Sequence, residues 1–274
     1  MSDSLDDFIG SALRVGMTPA FLHTQHGLLA EWRGYMEAKL ERPVEIVQRD
    51  SYRETIDLLR LEQLDFSWVC SYPYVYLRKQ VRLVAVPLYR MEPYYRAYLI
   101  VSAKYPRIQD LSQLRGKIFA YADPYSATGY LVPRYQLRKL GEDPAKFFAK
   151  TFFTYSHHKL IQAVADGLAH GGSVDGYVWD SLDALNPEIT RRTLLVNQSP
   201  EFGFPPAQAL SRRAPRPLDR TFHRSGENRR AEQLLPSACR THRQIHRPGS
   251  GQRSGGLTSR RAASDRIERR KLTY

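Results

Sequence analysis

Residues Asp123-Pro124-Tyr125-Ser126-Ala127-Thr128-Gly129-Tyr130-Leu131-Val132-Pro133 separate two segments of different periodicity. Upstream, Lys117-Ile118-Phe119-Ala120-Tyr121 is an apolar run with the composition of a short buried strand. Downstream, Tyr130 to Leu140 has helical spacing and stops at Gly141, a residue suited to the left-handed conformation that ends helices. The stretch therefore reads as a strand–loop–helix junction. A helix N-terminus leaves backbone N–H groups without intrahelical partners, and Ser126 and Thr128 bring two hydroxyls to it. Gly129 lets the backbone come close to whatever lies beside it. Free N–H donors, hydroxyls and the positive end of a helix dipole together suit an oxyanion. The same residues would equally make an ordinary serine N-cap with no ligand.

Outward from this loop, strand and helix patterns alternate. Leu13 to Pro19 reads as a first strand and turn, followed by a helix with Leu28, Leu29, Trp32, Tyr35, Met36 and Leu40 on one stripe. Pro43–Val47 alternates like a strand, and Ser51-Tyr52-Arg53-Glu54 is a capping-box pattern opening a helix through Ile56, Leu59 and Leu64. Phe66–Cys70, Val81–Leu88 and Tyr95–Ser102 are strand-like, and Asp110–Leu114 is a short helix. Beyond Gly141 the pattern predicts a strand at Phe152–Tyr155, a helix at His157–Leu168 and a strand at Ser173–Trp179. A helical turn at Ser181–Leu185, a strand at Arg192–Asn197 and a Gly/Pro-rich connector at Pro200–Pro206 complete it. Such alternation predicts parallel sheets with helices on both faces. Ligands of such folds lie beyond the carboxyl ends of strands, where the Asp123 loop falls.

The 274 residues carry a formal net charge of +13, and its location matters more than its size. Residues 207–274 hold 16 Arg and one Lys against five acidic residues, which leaves 24 basic and 23 acidic residues before them. From Ala207 onward there is no Val, Trp or Met, and the only Phe and Tyr are Phe222 and Tyr274. Low hydrophobicity with high net charge cannot bury enough area to offset chain entropy. A basic arm, a disordered tail and out-of-frame translation of a GC-rich gene would each give this composition. The abruptness of the change favours the last, and reading the other two frames after Pro206 tests it. Cys70 and Cys239 lie on opposite sides of the break, so no disulfide framework is expected. Cys239-x-x-His242-x-x-x-His246 offers only part of a zinc site, and no metal or cofactor is expected. Met1–Gly10 is acidic and lacks the basic and apolar regions of a signal peptide, so the chain as written reads as cytoplasmic. No apolar run approaches membrane-spanning length, and no membrane insertion is expected.

Three stretches together carry a family resemblance: Asp123–Pro133; Ser156-His157-His158-Lys159-Leu160-Ile161-Gln162-Ala163-Val164-Ala165 with Val174-Asp175 after it; and Ser199-Pro200-Glu201-Phe202-Gly203-Phe204-Pro205-Pro206. From about Leu13 to Pro206 the chain resembles the phosphate/phosphite/phosphonate-type substrate-binding proteins of ABC transporters. The resemblance implies a periplasmic binding protein-like, type II fold: two Rossmann-like α/β lobes joined by two crossing strands, with the ligand cleft between them. Lobe 1 would begin with residues 11–94, lobe 2 would span 95–198, and 199–206 would be the return hinge strand. Residues 207–274 would be an Arg-rich tail, disordered or frame-shifted. Family members hold the anion with a Ser-Thr-Ser-like run, with tyrosines and with a histidine. Carried over, these are Ser126, Ala127, Thr128 and Gly129 in the loop, Tyr52 and Tyr95, and His157. Ala127 stands where the family pattern often has a hydroxyl. The resemblance also implies a periplasmic location and an ABC transporter permease as partner.

The residues leave alternatives open. Tyr52 and Tyr95 could be packed tyrosines with satisfied hydroxyls, and His158 could face the ligand in place of His157. Asp175 and Asp180 flank a strand end, where they could meet a ligand amine or cap the helix near Ser181. The leading expectation is a non-catalytic protein that captures a small tetrahedral oxyanion by lobe closure, for ABC-type uptake. An enzyme of the pyrimidine-synthesis type would need a reactive cluster, and His157-His158 lacks a nearby Cys or carboxylate pair in sequence. A ligand-sensing effector domain would need an attached signalling segment. Nucleic-acid binding by the tail would be salt-dependent and sequence-blind, so no specific nucleic acid is expected.

Overall fold

The computed structural model describes residues 12–19, 26–210 and 240–242. The chain divides into units of residues 1–243 and 244–274, and every described residue belongs to the first. In chain order the first lobe is built from β1 (Leu13–Met17), α1 (His26–Leu40), β2 (Val44–Gln48), α2 (Tyr52–Arg60), β3 (Phe66–Trp68), α3 (Ser71–Leu77) and β4 (Val81–Leu88). The chain then crosses through β5 (Tyr94–Tyr95). The second lobe follows with β6 (Ala97–Ser102), β7 (Ile118–Tyr121), a π-helical turn (Ala127–Leu131) running into α4 (Val132–Lys139), and β8 (Lys150–Phe153). It continues through α5 (His157–Ala165), β9 (Gly171–Asp175), α6 (Gly176–Leu185), α7 (Pro187–Thr190) and β10 (Thr193–Gln198). β11 (Phe202–Gly203) crosses back antiparallel to β5, and β12 (Ala207–Leu210) and β13 (Arg240–His242) join the first lobe.

The two sheets have the orders β13-β4-β12-β3-β1-β2 and β10-β6-β9-β7-β8. β1 pairs parallel with β2 and β3, and β7 with β8 and β9, through helical crossovers. The sheets are nevertheless mixed, which corrects the all-parallel expectation. β6 runs antiparallel to both β9 and β10, and β12 antiparallel to β3 and β4. The reason is connectivity: β6 and β12 enter their lobes straight from a crossing strand, and no crossover helix sets their direction.

Two local expectations also change. The segment Ser173–Trp179 is not one strand, because β9 stops at Asp175 and α6 begins at Gly176. The Asp175 carboxylate accepts the Tyr177 N–H and caps that helix five residues earlier than the expected turn at Ser181. Helix α3 was not legible in Ser71-Tyr72-Pro73-Tyr74-Val75-Tyr76-Leu77, a run of poor helix formers, yet its proline lies in the first turn, where no N–H is required.

The lobes meet on aromatic side chains. Phe204 lies 4.9 Å from Tyr177, 5.5 Å from Tyr95 and 6.3 Å from Trp68, ring centre to ring centre. The Trp68 indole N–H donates to the Pro205 carbonyl at 2.7 Å. One apolar core thus runs from β1 and α1 through the crossing strands to α5 and α6. Apolar contact of this kind resists separation at the crossing while setting no direction for rotation about it.

The tail boundary expected at residue 207 shifts. Ala207–Leu210 is a strand in the middle of the first sheet, between β3 and β4. Of the remaining tail, only the backbone pairing of Arg240–His242 with β4 is described; Cys239, His246 and the rest lie outside the described residues. The new strand carries a misfit: both amide atoms of Gln208 and the hydroxyl of its register partner Ser67 are buried without a hydrogen-bond partner among the described residues. A buried unpaired amide costs about 1–3 kcal/mol. Gln208→Leu should therefore stabilise the protein by about 1–2 kcal/mol, raising the melting temperature by about 2–8 °C. An unchanged or lower calorimetric melt would mean that the amide is hydrated or paired in solution.

Candidate functional site

The loop after β7 winds into a π-helical turn because Ser126, in extended backbone, caps it. Its hydroxyl oxygen accepts the Gly129 N–H at 2.9 Å, and the Leu131 N–H reaches back to the Ser126 carbonyl at 3.2 Å. A Cβ on Gly129 would fall on the Ala122 methyl and stand 3.0 Å from both His157 Cε1 and Ser126 Oγ. Only glycine lets the turn lie this tightly on β7 and α5.

His157 fixes the hydroxyl from the other side. Ser156 caps α5, accepting the Lys159 N–H at 3.4 Å, and so places His157 at the first helical position with no exposed surface. The Asp175 backbone N–H donates to His157 Nδ1 at 3.1 Å, and Nε2 lies 3.3 Å from Ser126 Oγ. An Nδ1 that accepts must be unprotonated, so Nε2 carries the hydrogen and donates to Ser126. Burial holds the imidazole neutral, with its pKa lowered to about 3. Ser126 Oγ thus accepts two hydrogen bonds and keeps its own proton to donate.

Thr128 is unlike its neighbours. Its carbonyl accepts the Ser173 hydroxyl at 2.6 Å, but its own hydroxyl is buried and unpaired among the described residues. Its backbone N–H, at the start of the turn, also has no acceptor among the described residues. A buried hydroxyl without a partner is costly in a finished core and useful where a ligand completes it.

The first lobe closes over this turn. Ala127 N–H donates to Cys70 Sγ at 3.4 Å, and Tyr52 N–H donates to Asp123 Oδ2 at 3.3 Å. The Tyr95 and Ser71 hydroxyls lie 3.1 Å apart. Burial raises the phenol pKa of Tyr52 well above the ordinary value, and Cys70, Tyr177, Asp123 and Asp175 raise it further. Tyr95 is raised in the same way, by burial and then by Cys70 and Asp175. Burial likewise keeps the Asp175 carboxyl far above the usual range, with Asp180 adding to it.

The structure therefore gathers Ser126, Thr128, Gly129 and His157 in one place, with Asp175 beside His157 in electrostatic contact with both Tyr52 and Tyr95, and Ala127 at the seam. His157 meets the loop, and His158, next to it on α5, is half-exposed. Asp180 is drawn elsewhere: its carboxylate accepts the Tyr89 and Tyr98 hydroxyls and pairs with Arg90 at 3.1 Å. Cys70, Ser71, Tyr177 and Asp123 were not assigned roles from sequence. Only Asp123 carried a signal there, as the residue opening the loop.

The neutral histidine gives a pH dependence of definite sign. Its folded pKa of about 3 lies below the ordinary 6.5. The stability this contributes is complete above pH 6.5 and is lost as pH falls toward 3. The slope is at most about 1.4 kcal/mol per pH unit. Asp175, whose pKa is raised, acts with the opposite sign and loses stability as pH rises above the carboxylate range. Urea unfolding of His157→Gln between pH 6 and 4 should show a shallower acid slope than wild type. Equal slopes would mean that this imidazole is not buried neutral.

Comparison with known proteins places the chain. A family model described as ABC transporter, phosphonate, periplasmic substrate-binding protein matches residues 15–225. A curated relative, named as a probable ABC transporter phosphite binding protein, PhnD1, from Prochlorococcus marinus (strain MIT 9301), is 22% identical over 174 residues. That match covers 61% of this chain and 59% of the relative. Among solved structures, a binding protein component of an ABC phosphonate transporter from Pseudomonas aeruginosa superposes with a TM-score of 0.71 at 19% identity, covering 85% of this chain and 82% of the other. PhnD1 from Prochlorococcus marinus in complex with methylphosphonate gives a TM-score of 0.68 at 20% identity, over 77% and 81% of the two chains. These neighbours have the two-lobed type II fold, and the matched family consists of transport substrate-binding proteins and not enzymes. Among the described residues no helix is long and apolar enough to cross a membrane. The chain belongs to the periplasmic phosphonate substrate-binding protein family of ABC transporters.

Proposed function

We propose that this protein captures a small tetrahedral oxyanion, a phosphonate, phosphite or phosphate, in the cleft between its lobes and presents it to an ABC transporter permease in the periplasm. The observation that carries this reading is the buried, unpaired Thr128 hydroxyl at the start of the π-helical turn. Beside it Ser126 retains a free proton, and the turn supplies an N–H and the positive end of a helix dipole. His157 takes part as a neutral group and brings no positive charge to the ligand. Tyr52 and Tyr95 close the far side from the first lobe and the crossing strand. Asp175 would take a hydrogen bond from a protonated ligand oxygen or an ammonium group. Water excluded by closure strengthens each of these bonds. The relative solved with methylphosphonate supports a phosphonate-sized ligand.

Titration calorimetry against methylphosphonate, phosphite, phosphate and sulfate tests this reading. Removing a donor to a charged group costs about 1.5–3 kcal/mol, so Thr128→Ala should weaken the best ligand about ten- to hundredfold. The ligand-free melt of Thr128→Ala should hold or rise slightly, because the hydroxyl has no partner to lose among the described residues. Unchanged affinity with a lowered melt would take the binding site away from this turn.

A further inference from the structure

Two carboxylates of the second lobe grip donors of the first without belonging to the anion-holding turn. Asp123, about 1% exposed, accepts the Tyr125 N–H of its own loop at 2.7 Å through one oxygen. Its other oxygen accepts the Tyr52 N–H, 71 residues away, at the first position of α2 in the opposite lobe. Helix α2 has its own caps: Ser51 accepts the Glu54 N–H at 3.3 Å, and the Glu54 carboxylate accepts the Asp50 N–H at 3.1 Å. Those bonds leave the Tyr52 amide over, and the other lobe supplies its acceptor, a negative group at a helix N-terminus. The same seam holds Ala127 N–H on Cys70 Sγ at 3.4 Å and Tyr72 stacked on Tyr125 with ring centres 6.4 Å apart.

On the crossing-strand side, Asp180 of α6 collects three donors. Tyr98 comes from its own lobe at 3.2 Å, while Tyr89 and Arg90 come from the turn that follows β4. That turn is strained, with Arg90 at φ 51° and Met91 at φ 67°, two successive side-chain-bearing residues in the left-handed region. Such a conformation persists only where its surroundings hold it. Tyr89 and Glu92 close it with a pair of backbone hydrogen bonds at 2.9 and 3.0 Å, and Asp180 meets the side chains of Tyr89 and Arg90 from the other lobe.

We propose that Asp123 and Asp180 are positioning residues that clasp the closed state, one at the lip of the cleft and one beside the crossing strands. Asp123 sets the start of α2, and hence Tyr52, against the Ser126–Gly129 turn. Asp180 holds the strained turn that leads into the crossing. Ligand residence rests on the function proposed above, but the clasp acts on the lobes with or without ligand.

Cys70 reports on the clasp, because it is buried between the lobes, where its sulfur accepts the Ala127 N–H. In full-length protein carrying Cys239→Ser, reaction of Cys70 with a disulfide reagent such as Ellman's measures opening. Asp123→Ala and Asp180→Asn should each raise the labelling rate about ten- to hundredfold, the loss expected for one charge-assisted hydrogen bond. The faster labelling should depend little on urea, as for a local opening rather than global unfolding. Asp123→Asn, which keeps an acceptor oxygen, should restore much of the protection. By surface plasmon resonance both variants should release methylphosphonate faster with little change in association rate. Should Asp123→Ala not fold, Asp180→Asn alone gives the same reading. Unchanged labelling in the variants, or labelling that rises only with the steep urea dependence of unfolding, would overturn the clasp. Wild-type protein that binds neither methylphosphonate nor phosphite, yet shows the labelling pattern, would overturn the oxyanion reading and leave the clasp standing.

Discussion

The site depends on one close approach. Gly129 lies so near its neighbours that a single added carbon would collide with the Ala122 methyl and press on His157 and Ser126. That approach packs the π-helical turn onto β7 and α5, and from it the rest of the arrangement follows. Ser126 can reach both the Gly129 amide and the histidine, the histidine is buried neutral, and Thr128 is left with a hydroxyl that has no partner among the described residues. A larger residue at 129 would push the turn outward and give Thr128 room to find water or a backbone acceptor.

Around this fixed turn the lobes are joined by contacts of two kinds. At the crossing strands the joint is apolar, with Phe204 packed among Tyr95, Tyr177 and Trp68. Such contact tolerates rotation because it is not directional. At the lip, and at Asp180 beside the crossing strands, it is polar and directional, and each bond there requires the two lobes in register. The division suits a protein that must open and close about one axis. The apolar joint survives movement, and the polar bonds decide when movement occurs.

Much of this was legible in the chain, for physical reasons. The buried strands announced themselves as apolar runs, and the loop at Asp123 combined a strand end, hydroxyls, a glycine and a helical pattern within eleven residues. His157 and the capping box at Ser51 were local signals of the same kind. What escaped is what closure creates. Cys70 meets Ala127 across 57 residues, and Tyr52 meets Asp123 across 71, so no local pattern marks either pair. Asp175 misled at short range: the apolar Tyr177-Val178-Trp179 continued the strand pattern of β9, and the capping carboxylate overrode it. The strand at Ala207–Leu210 was hidden by the arginines that follow it, although its alternation of Ala, Gln, Ala and Leu fits a central strand poorly, as the orphaned Gln208 amide records.

The central claim is that the unpaired Thr128 hydroxyl is completed by a tetrahedral oxyanion in the closed cleft. A crystal structure of the protein grown with methylphosphonate tests this most directly. The account predicts a phosphonate oxygen about 2.5–3.0 Å from Thr128 Oγ1, with Ser126 donating to the same group and the Tyr52 amide still bonded to Asp123. An anion bound elsewhere, with Thr128 Oγ1 paired to a protein acceptor or an ordered water, would contradict it.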